Sequence, residues 1–162
     1  MRSLNDWIYD YGEQVKTGEI REAYQGIMNF MAQLRIYFKN KYPSHHISSS
    51  LYPGQMDITF FAVAPKLLHD NGLKIMIMYI HEKTRFEVWL VGRNQAIQNE
   101  FRQLLKENDT NNYTLSSTAD GIRSIIEICV DEHPDFEYQE ELIKRIDERV
   151  ALLVEDIEKL LR

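Results

Sequence analysis

Residues 73–92 constrain the fold more than any other part of the chain. Two runs rich in β-branched and aromatic residues, 73–81 and 85–92, flank a short polar segment, a pattern that predicts a β-hairpin. A two-residue turn or a four-residue loop then places His81 opposite Phe86 and Ile75 opposite Gly92. Since side chains alternate across a strand, one face is predicted to be core; it carries Ile75, Ile77, Tyr79, His81, Phe86, Val88 and Leu90.

The opposite face of this hairpin is half polar and is the candidate site. It carries Lys74, Met76, Met78, Ile80, Arg85, Glu87, Trp89, Val91 and Arg93. An aromatic surface beside a carboxylate and cations suits a small anionic or planar ligand. The alternative is a partly exposed sheet face with ion pairs, such as Glu87 with Arg85 or Lys74. The candidate ligand-binding residues are Lys74, Glu87, Trp89 and Arg93, with Asp57 added if strand order brings it alongside.

Helix signals lie before, between and after the strands. Ser3 and Asp6 have the spacing of a capping box at the start of a short helix. A longer helix is predicted over 19–41, another over 94–106, and a last one over 138–161. In the last helix the apolar residues follow a heptad spacing, which fits a coiled coil or, as we predict, a helix packed across a sheet. These residues are Ile143, Ile146, Val150, Leu153, Ile157 and Leu160.

Further strands are predicted on both sides of the central hairpin. Residues 45–51 and 56–63 read as a second hairpin with Pro53 and Gly54 at its turn. A short strand is expected at 113–116. Residues 122–130 fit either a helix or a strand, and their β-branched composition favours a strand.

These elements together predict an α+β fold. We expect a mainly antiparallel sheet of five or six strands, packed by N-terminal, central and C-terminal helices. The chain has 162 residues and no linker rich in Gly, Pro or Ser, so we predict a single domain over 1–162.

Charge and cysteine content bear on partners and compartment. The net charge is −6, and residues 95–162 hold 16 Asp and Glu against 8 Lys and Arg, which disfavours binding to nucleic acid. The exception is a basic cluster at the end of the second helix, continued by His45 and His46. No apolar stretch approaches the roughly 18 residues of a membrane span. The single cysteine, Cys129, is expected to be buried and unreactive, and we predict a cytoplasmic protein.

Motifs for known chemistries are missing from the sequence. It has no Gly-rich phosphate loop and no cysteine pairs spaced for zinc, so no metal site and no cofactor is predicted. We therefore favour a ligand-binding or protein-interaction domain without its own catalysis. The alternative is a metal-dependent phosphodiesterase or nuclease-like enzyme that uses Asp57 and Glu87, with Lys74 balancing the charge.

Several short motifs resemble an uncharacterised family of small cytosolic, mostly bacterial proteins. They are Tyr-Phe-Lys-Asn-Lys-Tyr-Pro at 37–43, Met-Asp-Ile-Thr-Phe-Phe at 56–61, His-Glu-Lys at 81–83, Phe-Glu-Val-Trp-Leu-Val-Gly-Arg-Asn at 86–94 and Pro-Asp-Phe at 134–136. The family often has Asn before its His-Glu-Lys, where this chain has Ile80. The resemblance implies no activity, substrate or cofactor.

Association is the last expectation from the sequence. The terminal helices carry more apolar and aromatic surface than one sheet contact requires, including Trp7, Tyr9 and Tyr11. Aromatic residues are enriched in interface cores, and symmetric homodimers are the commonest oligomers. We predict a weak or moderate homodimer through one terminal helix.

Overall fold

The structure is a computed structural model that describes residues 1–108, 113–116 and 124–162. Within these residues the chain forms five helices and five strands. In chain order they are α1 (Leu4–Thr17), α2 (Glu19–Lys41), β1 (His46–Ile47), β2 (Ile58–Ala64), α3 (Lys66–Asp70), β3 (Leu73–Ile80), β4 (Arg85–Gly92), α4 (Gln95–Glu107), β5 (Ser124–Asp131) and α5 (Gln139–Leu161).

Local signals in the sequence determine where the helices begin and end. The Ser3 hydroxyl accepts from the Asp6 backbone N–H, and the Asp6 carboxylate accepts from the Ser3 backbone N–H, so the predicted capping box is confirmed. Gly18 ends α1 in the left-handed region at φ 85°. The Asn94 side chain accepts from the Ile97 backbone N–H and caps α4 as predicted.

The five strands form one antiparallel sheet in the order β1-β2-β3-β4-β5. Each strand pairs with the next along the chain, so the sheet is a meander. Helices α2, α3, α4 and α5 contribute buried side chains to a common core with one face of the sheet, which we name the covered face. We name the other the open face. The predicted α+β fold is confirmed.

The core lies between the covered face and the long helices. From β3 and β4 it contains the side chains predicted for it, among them Ile75, Ile77, Val88 and Leu90. The heptad positions of α5 also enter this core, since Ile146, Val150, Leu153 and Ile157 are all buried. The α5 seam therefore packs across the sheet as predicted.

The predicted register of the central hairpin is wrong by two residues. Phe86 pairs with Tyr79 instead of His81, and Gly92 pairs with Leu73 instead of Ile75. The reason is a four-residue turn over 81–84, closed by a hydrogen bond from the Thr84 N–H to the His81 carbonyl oxygen. A shift of two leaves every side chain on its predicted face.

Two predicted strands are shorter than expected. The strand predicted over 45–51 is reduced to β1, with one further bridge between Tyr52 and Phe60. The segment 113–116 contributes a single bridge from Leu115 to Ile126. Residues 109–112 and 117–123, which include the first two of the predicted strand at 122–130, lie outside the described residues.

The prediction that Cys129 is buried is wrong. Strand β5 is at the edge of the sheet, and its register puts Ile126 and Ile128 on the covered face. Alternation then puts Glu127 and Cys129 on the open face, where Cys129 is exposed. Partial shielding by its neighbours still raises the pKa of the Cys129 thiol, which does not favour a reactive thiolate.

The first helix differs from the others because α1 contains no buried residue. Its apolar side chains Leu4, Trp7, Ile8 and Tyr11 are each more than half exposed. Of the helices in the described part of the chain, none combines the length and the apolar composition that crossing a membrane requires.

Candidate functional site

The candidate site is on the open face, where the strand register sets side chains in rows across the sheet. Two paired sets meet at the α4 end of the sheet: His46 is opposite Ala64, and Lys74, Val91 and Ser124 are each opposite the next. Continuing the β2–β3 register beyond Val63 and Ile75 joins them into one row. Ala62, Met76 and Trp89 form the adjacent row. Neighbouring strands are about 4.8 Å apart, so such a row spans the width of a small ligand.

Small side chains on β2 create a depression in this face. Ala62 and Ala64 occupy two successive open-face positions, while Phe60, Met76 and Trp89 are larger. The result is a cavity of about 870 Å³. That volume is within the range of about 300–1,000 Å³ typical of small-molecule sites.

Trp89 is held in place by Glu87. The buried Glu87 carboxylate accepts from the Trp89 indole Nε1–H at 2.8 Å and from Arg85 Nε–H at 2.7 Å. Both carboxylate oxygens are therefore used within the protein, and Glu87 does not line the cavity. Its arrangement is that of a residue that positions the indole, and the Glu87–Arg85 ion pair considered from the sequence is present.

Basic side chains collect around Gly72 at one end of the cavity. Lys74 and Arg93 line it there, together with His46 and His69. The two imidazole rings stack with centroids 3.8 Å apart and planes 12° apart. Backbone hydrogen bonds join the elements at this corner, from Gly72 N–H to the His69 carbonyl at 3.0 Å and from Arg93 N–H to the Gly72 carbonyl at 2.8 Å.

Asp57 lies at the opposite end of β2 from Lys74, beside the turn after β3. Its carboxylate accepts from the Gln55 backbone N–H at 2.8 Å, and backbone donors there hold its pKa below the usual range. Its carbonyl oxygen accepts from the His81 backbone N–H at 2.9 Å. The structure therefore brings Lys74, Trp89 and Arg93 around one cavity and leaves Asp57 outside its lining.

Asp57 adjoins a buried polar cluster that sequence reasoning missed. The buried Thr59 hydroxyl is 2.7 Å from the Pro53 carbonyl oxygen and 2.8 Å from His81 Nε2. Because a carbonyl only accepts, the hydroxyl donates to Pro53 and His81 Nε2–H donates to Thr59. Burial lowers the pKa of His81, which favours the neutral ring with this tautomer.

Metal binding finds no additional support in this geometry. Within residues 1–108, 113–116 and 124–162, no three His, Cys, Asp or Glu side chains are grouped to hold a metal ion. The metal-dependent alternative with Asp57 and Glu87 stays a prediction.

Comparison with known proteins assigns the family. A family model described as a domain of unknown function (DUF7000) matches residues 4–161. The chain belongs to the DUF7000 family. Searches among curated proteins and among solved structures found no match. The predicted resemblance to an uncharacterised family is therefore confirmed.

Four polar residues at the cavity of this DUF7000 domain were not predicted as site residues from the sequence. They are His46 from β1, Ser48 just after it, His69 from α3 and Ser124 from β5. Adjacent histidines on a strand point to opposite faces, so one of His45 and His46 had to face the open side if β1 joined the sheet there. Nothing in the sequence indicated that His69 would stack on it.

Proposed function

We propose that this DUF7000 domain binds a small, planar, anionic ligand in the open-face cavity and has no catalysis of its own. The observation that carries the proposal is the cavity itself, an apolar floor of Phe60, Met76 and Trp89 with Lys74 and Arg93 at one end. Ligand sites are typically apolar clefts with a few convergent polar groups.

Both parts of the cavity contribute to the proposed selectivity. A planar group over Trp89 would gain the stacking and dispersion contacts that aromatic side chains provide. An anionic group near Lys74 and Arg93 would form charge-assisted hydrogen bonds, which are about twice as strong as neutral ones. A neutral planar compound would gain only the first contribution.

The experiment uses naphthalene-1-sulfonate as a planar anionic probe and 1-naphthol as its neutral analogue, in isothermal titration calorimetry. The variant Ala62→Leu fills the depression, and Ala151→Leu makes the same change at an exposed position of α5. We expect the sulfonate to bind the wild type and the Ala151→Leu protein. Binding to Ala62→Leu should fall by at least about tenfold, since steric overlap there costs more than about 1.4 kcal/mol. Equal binding to Ala62→Leu, or no binding to any form, would contradict the proposal.

The metal-dependent enzyme alternative has a separate test. A specific Mg²⁺ or Mn²⁺ site would raise the thermal midpoint through mass action. Melting with and without each ion, in wild type and in Asp57→Asn, decides whether Asp57 is part of such a site. A midpoint increase that disappears in Asp57→Asn would favour the enzyme.

We also propose that the protein forms a homodimer through α1. The supporting observation is an exposed stripe of Leu4, Trp7, Ile8 and Tyr11 on one side of a helix with no buried residue. At more than half exposure each, the four side chains offer about 400–500 Å² of surface. A standard interface buries about 800 Å² per partner, so a second copy of α1 with neighbouring residues gives a weak or moderate dimer.

The dimer test compares two tyrosines of similar exposure on α1. Tyr11 lies on the stripe and is 62% exposed, whereas Tyr9 lies off it and is 68% exposed. Light scattering at rising concentration should approach twice the 19.2 kDa chain mass for wild type and Tyr9→Glu, but not for Tyr11→Glu. A mass of one chain at every concentration would refute the dimer.

Cytoplasmic localisation is part of the same proposal. Its support is the single cysteine among 162 residues, which cannot form an internal disulfide. Cell fractionation with an antibody against the protein would test it.

A further inference from the structure

The corner around Gly72 holds two cations, Lys74 and Arg93, that have no acidic partner among the described residues. Within the part of the chain that the structure describes, neither Lys74 nor Arg93 forms an ion pair. By contrast, Arg85 on the same face pairs with Glu87. Two unpaired cations at one end of a cavity, in a chain of net charge −6, favour an anion of more than one charge at that end.

Hydrogen-bond donors surround the same corner. His46 and His69 line it with stacked rings, so their ring N–H groups add donors beside the two cations. Asp70 lies 3.9 Å from His69 Nδ1 and pairs with Lys66, so one carboxylate is present at the outer edge. Asp70 does not line the cavity.

Ser124 lines the cavity from β5, but its hydroxyl is not open to a ligand. The residue is 1% exposed, and its Oγ is buried without accessible surface. Burial raises the pKa of the neighbouring Glu127, and the Ser124 hydroxyl acts to lower it. The side-chain donors that line the corner are therefore those of Lys74, Arg93, His46 and His69.

We infer that the Gly72 corner binds the phosphate group of a planar phosphate monoester. This inference rests on the proposed function, and it names the ligand class for the same cavity. A phosphate dianion has three terminal oxygens, which can accept from Lys74, Arg93 and a histidine ring N–H, and it matches the two unpaired cations in charge. The planar part of the ester lies over Trp89 in the adjacent row.

The test adds 1-naphthyl phosphate and inorganic phosphate to the calorimetry described above. The naphthyl ester should bind about tenfold more tightly than naphthalene-1-sulfonate, because the dianion forms stronger and more numerous charge-assisted hydrogen bonds. Inorganic phosphate should bind more weakly than the ester, since it lacks the planar group. Free phosphate binding as tightly as the ester would overturn the monoester assignment.

Variants assign the preference to the corner. In Lys74→Gln/Arg93→Gln the tenfold preference for phosphate over sulfonate should fall to within about twofold, while Lys106→Gln, at an exposed position of α4, keeps it.

The two proposals fail in different ways. In the first case the sulfonate binds and Ala62→Leu abolishes its binding, but the protein does not prefer the phosphate ester over the sulfonate, or the double variant keeps that preference. The phosphate inference is then wrong and the proposed function stands. If neither naphthyl compound binds, or both bind Ala62→Leu normally, the proposed function fails and the phosphate inference fails with it.

Discussion

Asp147 provides the strongest stability prediction, because one buried carboxylate joins the end of α2 to α5. The residue is 4% exposed and accepts from the hydroxyls of Tyr37 and Tyr42 and from Lys41 Nζ, with Tyr42 at 2.6 Å. Burial acts to raise the pKa of Asp147, but these three hydrogen bonds together outweigh it and leave the pKa below its usual value. We predict that Asp147→Ala destabilises the fold substantially.

The magnitude follows from what each partner loses. A hydrogen bond from a phenol to a charged carboxylate contributes about 1.5–3 kcal/mol. The half-exposed Lys41 adds an ion pair that solvent screens, so the two phenols dominate the estimate. Burying the carboxylate costs several kcal/mol of desolvation, and Asp147→Ala removes that cost, which offsets part of the loss. The two phenols are partly exposed and can recover some hydrogen bonding from water. We expect a net loss of about 2–4 kcal/mol.

The assay is urea unfolding followed by circular dichroism, with thermal melting alongside. A loss of this size lowers the thermal midpoint by about 5–15 °C in a chain of this length. The matched control is Asp156→Ala, since Asp156 accepts from one phenol, Tyr113, and should cost about 1 kcal/mol. A loss for Asp147→Ala below about 0.5 kcal/mol, or no larger than that of the control, would refute the reasoning.

Three further predictions concern the turns, the core and the pH dependence of stability. Burial lowers the pKa of His81 from the ordinary 6.5, so the unfolded chain binds more protons below that pH. The contribution of His81 to stability is therefore present above pH 6.5 and is lost as the pH falls through the folded pKa. As the pH is lowered, the urea midpoint should decline less in His81→Gln than in the wild type. Equal declines in the two proteins would contradict this. Gly54 has φ 70°, and an added Cβ would lie 2.0 Å from a backbone carbonyl oxygen. Gly54→Ala should therefore lower the free energy of unfolding in urea by more than about 2 kcal/mol. The control Gly26→Ala, in open space on α2, should raise it by up to about 1 kcal/mol. Similar effects of the two alanines would show that the turn at Gly54 is not under this constraint. Leu153 is fully buried and Leu152 is 46% exposed. In urea unfolding, Leu153→Ala should lower the free energy of unfolding by about 2–5 kcal/mol and Leu152→Ala by less than about 1 kcal/mol. Comparable losses for the two variants would mean that α5 packs through another face.

Most of the fold was predictable because its signals are local. The capping pair of Ser3 and Asp6, the Asn94 cap and the side-chain alternation of β3 and β4 each act within a few residues, and each is observed. The register of the central hairpin was not predictable to the residue, because the turn includes His81. Its backbone N–H and ring bind the start of β2, a contact that depends on strand order.

The candidate site was predictable only where it depends on one hairpin. Lys74, Trp89 and Arg93 share a face through alternation and the central turn, and the structure places them around one cavity. His69 and Ser124 arrive from α3 and β5, and no local pattern predicts which elements pack beside the hairpin. The depression itself depends on alanines of β2 lying beside β3, which also requires the strand order.

A titration of the two indole N–H resonances tests ligand binding on the open face most directly. The chain has two tryptophans, Trp89 in the cavity and Trp7 on the exposed stripe of α1, so Trp7 serves as an internal control. On addition of naphthalene-1-sulfonate we predict that the Trp89 indole resonance of the ¹⁵N-labelled protein shifts to saturation while that of Trp7 stays in place. A stationary Trp89 resonance, or a shift confined to Trp7, would contradict the account.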